Sequence, residues 1–247
     1  MAVGKPKSAE MHPGPGFRVR YRFERPDPEL VAGLGKFDTP DLSDLMNRLY
    51  AMIPAIRNMT AENLRILGPA LTVRVYPGDN LMVHKCLDIV EPGDVVVIDA
   101  GGSVMNGVLG DLISTKARHR GVQGFVVDGL IRDLPEIREL GDFPVFARGV
   151  TPIGPLHRGP GEINHPISAG GIVVHPGDIV VGDANGVVIV PKEVAGDLLA
   201  RLRDRADREV EYRAAVQRGE FSNEWVDNLL FESGVAPEEP GKGSAAP

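Results

Sequence analysis

The chain has 247 residues, 43% of them hydrophobic and 25% charged, the composition of a folded protein with a sizeable core. Its net charge of −7 excludes nucleic acid as the main partner, because a phosphate backbone needs a basic face. The single cysteine, Cys86, excludes an intrachain disulfide, and no apolar run approaches the roughly 20 residues of a membrane span.

A small anion needs only a local basic pocket, so an acidic protein can still bind one. The first residues, MAVGKPKSAEMHPGPGF, lack the apolar centre of a signal peptide, and the expectation is a soluble cytoplasmic protein. Cys86 falls in an apolar helical pattern and reads as a small buried hydrophobe.

Residues 1–26 read as a flexible arm, with an alternating stretch, FRVRYRF, that suits an edge strand or a contact with a neighbouring subunit. Thr39-Pro40 starts a helix, with Thr39 as N-cap and Pro40 at its first position. ALTVRVY has the period-two pattern of a strand. Asp79 can cap a following helix, NLMVHKCLDIV. A buried strand, VVVID, leads into a glycine-rich segment at 101–110, then a helix to about Arg120. The strand GFVVD, a short helix from Arg132 to Leu140 and the strand FPVFARG follow. This alternation predicts an α/β core.

The second half changes character. Residues 150–170 read as a Gly/Pro-rich connection. GIVVH, DIVVGD and GVVIVP are short antiparallel strands, the last two joined through Asn185-Gly186, a strong hairpin signal. Pro92-Gly93-Asp94 and Pro176-Gly177-Asp178 each precede a strand, as type II turns would. A long charged helix runs from Lys192 to about Arg218, and SNEWVDNLLF forms another. The expected organisation is one domain over 27–233 and a disordered tail over 234–247.

Two charged clusters stand out. Asp111 follows GGSVMNGVLG; Arg132 and Asp133 follow the apolar run GFVVDGLI, with Glu136 three residues on. A helix and a strand lie between them, so the fold can return the second cluster to the first. Each cluster has a purely structural reading. Asp133 and Glu136 match the acid-x-x-Glu pattern of a capping box, which leaves Arg132 solvated. The functional reading places Arg132-Asp133 at a strand's carboxyl end, where α/β folds bind ligands, and beside a helix start able to gather water and a hard cation. The glycines 101, 102, 107 and 110 would let backbone approach a ligand, and the amides of Leu112 and Ile113 could bind a carboxylate. The six histidines form no HxxxH or HExxH pair, which argues against a zinc site. No P-loop, GxSxG elbow or GxGxxG after a strand is present.

Asp111, with twenty residues between it and Arg132-Asp133 and with Glu136 beyond, resembles the signature of class II pyruvate aldolases in the RraA-like family. PGDNLMVHKCLDIVEPGDVVVIDAGG, FPVFARGVTPIGP, GPGEINHPIS and PGDIVVGDANGVVIVP resemble the family too, over about residues 27–232. That family contains aldolases for 4-hydroxy-4-methyl-2-oxoglutarate (HMG) and 4-carboxy-4-hydroxy-2-oxoadipate (CHA), and a regulator that binds ribonuclease E.

The resemblance implies a layered α/β/β/α sandwich of the swivelling β/β/α type. It also implies a homotrimer, often paired into a hexamer, with active sites between subunits. Arg132 would bind the keto and carboxylate oxygens of a 2-oxo acid. Asp133 would anchor Mg²⁺ or Mn²⁺ largely through waters, supported by Glu136, with Asp111 holding metal-bound water. Gly110 and the amides of Leu112 and Ile113 would hold the pyruvyl carboxylate. Glu209 of a neighbouring subunit, with Glu211 as its rival, would complete the site. Cleavage of a 4-hydroxy-2-oxo acid to pyruvate and a second 2-oxo acid, with oxaloacetate decarboxylation as a side activity, is the implied chemistry. Lys116 reads as a helix-surface residue, so a Schiff base is not expected. The rivals are a non-catalytic ribonuclease regulator, or a lyase or hydro-lyase on another 2-oxo acid. A methyltransferase lacks its nucleotide fingerprint.

Overall fold

The computed structural model describes residues 12–235. In chain order its elements are β1 (Phe17–Val19), α1 (Pro28–Leu34), α2 (Thr39–Leu45), β2 (Arg57–Asn58), β3 (Ile66–Val75), α3 (Leu81–Cys86), β4 (Val95–Gly107), α4 (Asp111–His119) and β5 (Gly124–Ile131). There follow α5 (Leu134–Glu139), β6 (Val145–Val150), β7 (Gly161–Ile163), β8 (Ile167–Ala169), β9 (Ile172–Val174), β10 (Ile179–Asp183), β11 (Gly186–Val190), α6 (Ala195–Gln217) and α7 (Glu224–Glu232). Within the span read as one domain, two compact units are distinguished, divided between Leu202 and Arg203. Residues 1–11 of the expected arm and the expected tail beyond Val235 lie outside the described residues.

In the first unit, β3, β4, β5 and β6 lie side by side and parallel. β7 runs antiparallel on β3, and β1 pairs with β7, so part of the expected arm supplies an edge strand. Period-two side-chain alternation explains why this sheet has two apolar faces. Val96, Ile98, Phe125 and Val127 join α3, α4 and α5 in one core. Val95, Val97, Val126 and Phe146 point the other way, into a core shared with β8 to β11. A third core packs α1, α2 and the first turns of α6 against β10 and β11. The layers are therefore α/β/β/α, as expected. β3 serves both sheets: Ile66–Pro69 pair antiparallel with β10, and Ala70–Arg74 pair with β4. Among the described residues no helix is long and apolar enough to cross a membrane.

Several local expectations change. The connection at 150–170 holds β7 and β8, three-residue strands too short to show a period. The glycine-rich segment continues β4, with register shifts where Gly101 and Gly102 take φ of 65° and 67°. The helix after Asp79 ends at Cys86, and that thiol is buried, which pushes its pKa up and leaves it inert. The proline-glycine-aspartate turns occur three times. Gly78, Gly93 and Gly177 all have φ near 90°, as the third position of a type II turn requires. In each, the aspartate N–H bonds back to the first carbonyl: Tyr76, Glu91 and His175.

Thr39 is not the N-cap of α2. The helix begins at Thr39 after Asp38, whose side chain makes no cap bond. Asp183 performs that task from β10: its carboxylate accepts the Thr39 N–H at 2.8 Å and the Thr39 hydroxyl at 2.7 Å. The partner lies 144 residues away, beyond the reach of local spacing. Burial alone would raise the Asp183 pKa, but the bonds from Thr39 and Asn185 hold it below the ordinary carboxylate range. Its contribution is thus present above the unfolded pKa of about 4 and lost as pH falls through the lower folded value. Asp183→Ala strands two buried donors, and about 2–3 kcal/mol of stability is expected to disappear in a denaturant titration at pH 7. The wild-type advantage over the variant should shrink at acid pH.

Candidate active site

A cavity of about 250 Å³ opens where β5 ends and α4 begins. The parallel strands β3 to β6 end on one side, the usual place for ligands in α/β sheets. Leu109, Gly110, Asp111, Leu112 and Ile113 line it from the start of α4, Arg132 and Asp133 from the end of β5. The two clusters that are separate in sequence therefore share one cavity.

Asp133 occupies the N-cap position of α5, but it does not cap. Its backbone is left-handed, at φ 53° and ψ 41°, and its side chain makes no cap bond. The carboxylate instead accepts from Arg132 Nε at 2.9 Å. The capping-box reading fails at this point. A non-glycine residue in this conformation is held there by its surroundings. Both side chains are partly exposed, at 40% for Arg132 and 31% for Asp133, so they remain open to a ligand. Glu136 is exposed in the first turn of α5 and is not among the lining residues.

Three close approaches fix this pair. An added Cβ at Gly110 would sit 2.2 Å from Asp133 Oδ2 and 3.1 Å from Arg132 Cγ. At Gly107 it would meet the Ile131 and Arg132 backbone at 3.1 and 3.2 Å, and at Gly154 the Arg132 guanidinium at 2.7 Å. Gly110 has an extended backbone open to alanine, so the clash itself is what a substitution tests. Gly110→Ala is expected to cut activity about 100-fold by displacing the pair by roughly an ångström, while a thermal melt moves by only a few degrees. Unchanged turnover would show that the close approach is unimportant.

Helix α4 follows Gly110 directly. Its first intrahelical bond runs from Ser114 N–H to Gly110 C=O at 3.1 Å, so the amides of Asp111, Leu112 and Ile113 precede the helical ladder. The residues that carry them line the same cavity as Arg132, at a helix start where a carboxylate can be received. Lys116, further along α4, is exposed and does not line the cavity, so the wall offers no amine for a Schiff base.

Two lining residues, His84 and His157, escape sequence spacing because they lie 73 positions apart. Their rings meet edge to face, 5.3 Å between centroids. His157 Nδ1 lies 2.6 Å from Asn80 Oδ1, and Asn80 Nδ2 donates to the Val108 carbonyl at 2.8 Å. The second bond orients the amide, so Nδ1 of His157 carries the proton and Nε2 is the free position. The His84 pKa is held below its ordinary value, by burial first and then by the charges of His157 and Lys116.

In the second unit, Glu209 accepts from Arg205 and from Arg213 within α6. The Arg205 bond, reinforced by Arg213, holds its pKa below the usual range. Glu211 pairs with Arg218 at 3.0 Å.

Among the described residues, no group of three or more His, Cys, Asp or Glu side chains converges as a metal cage. Asp111 and Asp133 do line one cavity, which suits a hydrated Mg²⁺ or Mn²⁺, since such ions take one or two carboxylates and keep several waters.

The fold and cavity define a class: an α/β/β/α sandwich with an arginine–carboxylate pocket at its parallel strand ends. Residues 39–189 match the family model RraA-like, described as Aldolase/RraA, and the chain belongs to that family. A relative from Halalkalibacterium halodurans, named "Putative 4-hydroxy-4-methyl-2-oxoglutarate aldolase", is 42% identical over 79% of this chain and 92% of its own length. The crystal structure of Streptomyces coelicolor RraAS2, described as an unusual member of the RNase ES inhibitor RraA protein family, superposes with a TM-score of 0.71. It is 33% identical and covers 78% of this chain and 99% of that one. The RNA-processing inhibitor RraA from Thermus thermophilis gives a TM-score of 0.58 at 32% identity, over 63% of this chain and 93% of that one.

Proposed function

We propose that the protein is a divalent-metal-dependent class II aldolase. It would cleave 4-hydroxy-2-oxo dicarboxylic or tricarboxylic acids of the HMG/CHA type to pyruvate and a second 2-oxo acid. The observation that carries this reading is the meeting of Arg132, Asp133, Asp111 and the first residues of α4 in one cavity. The aldolase name carried by the Halalkalibacterium halodurans relative supports it.

The chemistry follows from where charge moves. Breaking the C3–C4 bond leaves an electron pair on the pyruvyl fragment as an enolate, and the C4 hydroxyl loses its proton as it becomes a carbonyl. Arg132 donates to the oxygen on which the enolate charge collects. The Leu112 and Ile113 amides hold the pyruvyl carboxylate and so fix the keto group beside Arg132. Asp111, in the same wall, helps move the hydroxyl proton, and the enolate carbon is then protonated to give pyruvate. Asp133 and Asp111 would hold Mg²⁺ or Mn²⁺, which supplies further electrophilic charge to the substrate oxygens. The same enolate forms when oxaloacetate loses CO₂, so oxaloacetate decarboxylation is the expected second activity.

This reading also takes the site as shared within a homotrimer, or a hexamer of two trimers, completed by Glu209 or Glu211 of a neighbouring chain. Glu209→Gln and Glu211→Gln, assayed side by side, would identify which acid serves.

The test is a coupled pyruvate-release assay with Mg²⁺ on HMG, CHA and oxaloacetate. Turnover that is abolished by chelation and restored by Mg²⁺ is expected. Full activity after exhaustive chelation would sink the metal route. No turnover of any 2-oxo acid would favour a non-catalytic ribonuclease regulator, in line with the Streptomyces structure's description as a member of the RNase ES inhibitor RraA family and the Thermus structure's as an RNA-processing inhibitor.

A further inference from the structure

Resting on the aldolase reading, we propose that His84 and His157 form the subsite for the second carboxylate of a dicarboxylic substrate, and so set the enzyme's preference for diacids. The first carboxylate and the keto oxygen already use the α4 amides and Arg132. A second carboxylate then needs its own donor. Of the remaining lining residues, Asp111 and Asp133 are acidic, Leu109, Leu112, Ile113 and Pro155 are apolar, and Gly110 and Gly154 have no side chain to donate. Asn80 has both ends of its amide engaged. The two imidazoles are left.

Their placement is built rather than incidental. Both side chains are exposed, and an exposed histidine would ordinarily sample several rotamers. His157 is instead tied to Asn80, a residue only 2% exposed. The loop that carries it is strapped to the turn before α3. Asn80 N–H donates to Leu156 C=O at 3.0 Å, Leu156 N–H to Gly78 C=O at 2.7 Å, and Arg158 N–H to Asp79 Oδ2 at 2.6 Å. Asp79 is itself buried and also accepts the Leu81 N–H at 2.8 Å. The strap brings the loop's imidazole against that of α3 and leaves Nε2 of His157 free. A carboxylate arriving there can accept a charge-assisted bond from an imidazolium. Both histidines are exposed, so their replacement removes little buried surface.

The test uses two five-carbon probes that lack the 4-hydroxyl and cannot be cleaved: 2-oxoglutarate, with a distal carboxylate, and 2-oxopentanoate, with a methyl group in its place. Calorimetry on the full chain with Mg²⁺ should show the wild type binding 2-oxoglutarate at least about tenfold more tightly. In His84→Ala and in His157→Ala that ratio should fall toward one, and the double variant should lose it. A wild-type ratio near one, or a ratio kept in both single variants and the double, overturns the subsite. Because binding is read without turnover, a wild-type ratio that the histidine variants abolish, in a protein that cleaves no 2-oxo acid, would reject the aldolase reading and leave the subsite standing.

Discussion

Arg132→Ala should lower kcat/KM for pyruvate release by roughly 10³-fold, equivalent to about 4 kcal/mol of transition-state stabilisation. Among the described residues, the guanidinium is the only permanently cationic side chain lining the cavity. It engages Asp133 through Nε, which leaves its terminal nitrogens for a substrate oxygen. Its own backbone N–H is bonded to Leu109 C=O at 3.0 Å, so the chain at this point stays in place when the side chain is removed. The loss should therefore fall on kcat more than on stability. Arg132→Lys is expected to recover little, because an ammonium cannot bond Asp133 and a substrate oxygen in one planar fork. Pyruvate release measured beside a thermal melt separates the two effects. A folded Arg132→Ala that retains more than a tenth of wild-type turnover would remove Arg132 from the chemistry.

The residues of this site differ in how far sequence alone could place them. Asp111 and Arg132-Asp133 were legible because a helix and a strand of ordinary length separate them, and that unit returns the chain by a known geometry. The core strands were legible from composition: VVVI and GFVV are continuous apolar runs, as strands covered on both faces must be. The backbone of Asp133 was not legible. Its spacing to Glu136 fits a capping box, and only the close passage of Gly110 shows why the carboxylate turns away from the helix. His84 and His157 were hidden for a different reason. Their meeting depends on the strap between residues 78–80 and 156–158, made largely of backbone bonds that leave no residue pattern. The one signal available was Asp79-Asn80, two polar residues directly before an apolar helix, which serves to fasten the loop as well as to start α3. Thr39 and Asp183 repeat the lesson, since a cap supplied from 144 residues away cannot be read locally.

Asp133 offers the sharpest separation of conformation from chemistry, because its backbone and its carboxylate can be changed independently. Asparagine tolerates the left-handed region nearly as well as aspartate, so Asp133→Asn should keep stability within about 0.5 kcal/mol. It removes the negative charge facing Arg132 and the proposed cation, and activity should fall at least 100-fold, with Mg²⁺ no longer rescuing chelated protein. Asp133→Gly removes the Cβ that makes φ 53° unfavourable and should leave stability equal to wild type or higher by up to about 1 kcal/mol, with activity lost. Asp133→Val should lose both, because a β-branched side chain in this conformation costs about 1–3 kcal/mol. Denaturant midpoints and pyruvate release across the three variants give the comparison. A glycine variant at least as stable as wild type yet inactive would mean that strain is maintained at Asp133 for the position of its carboxylate. If stability instead falls in the order Asn, Gly, Val in parallel with activity, the residue holds the fold together and the site must be anchored elsewhere.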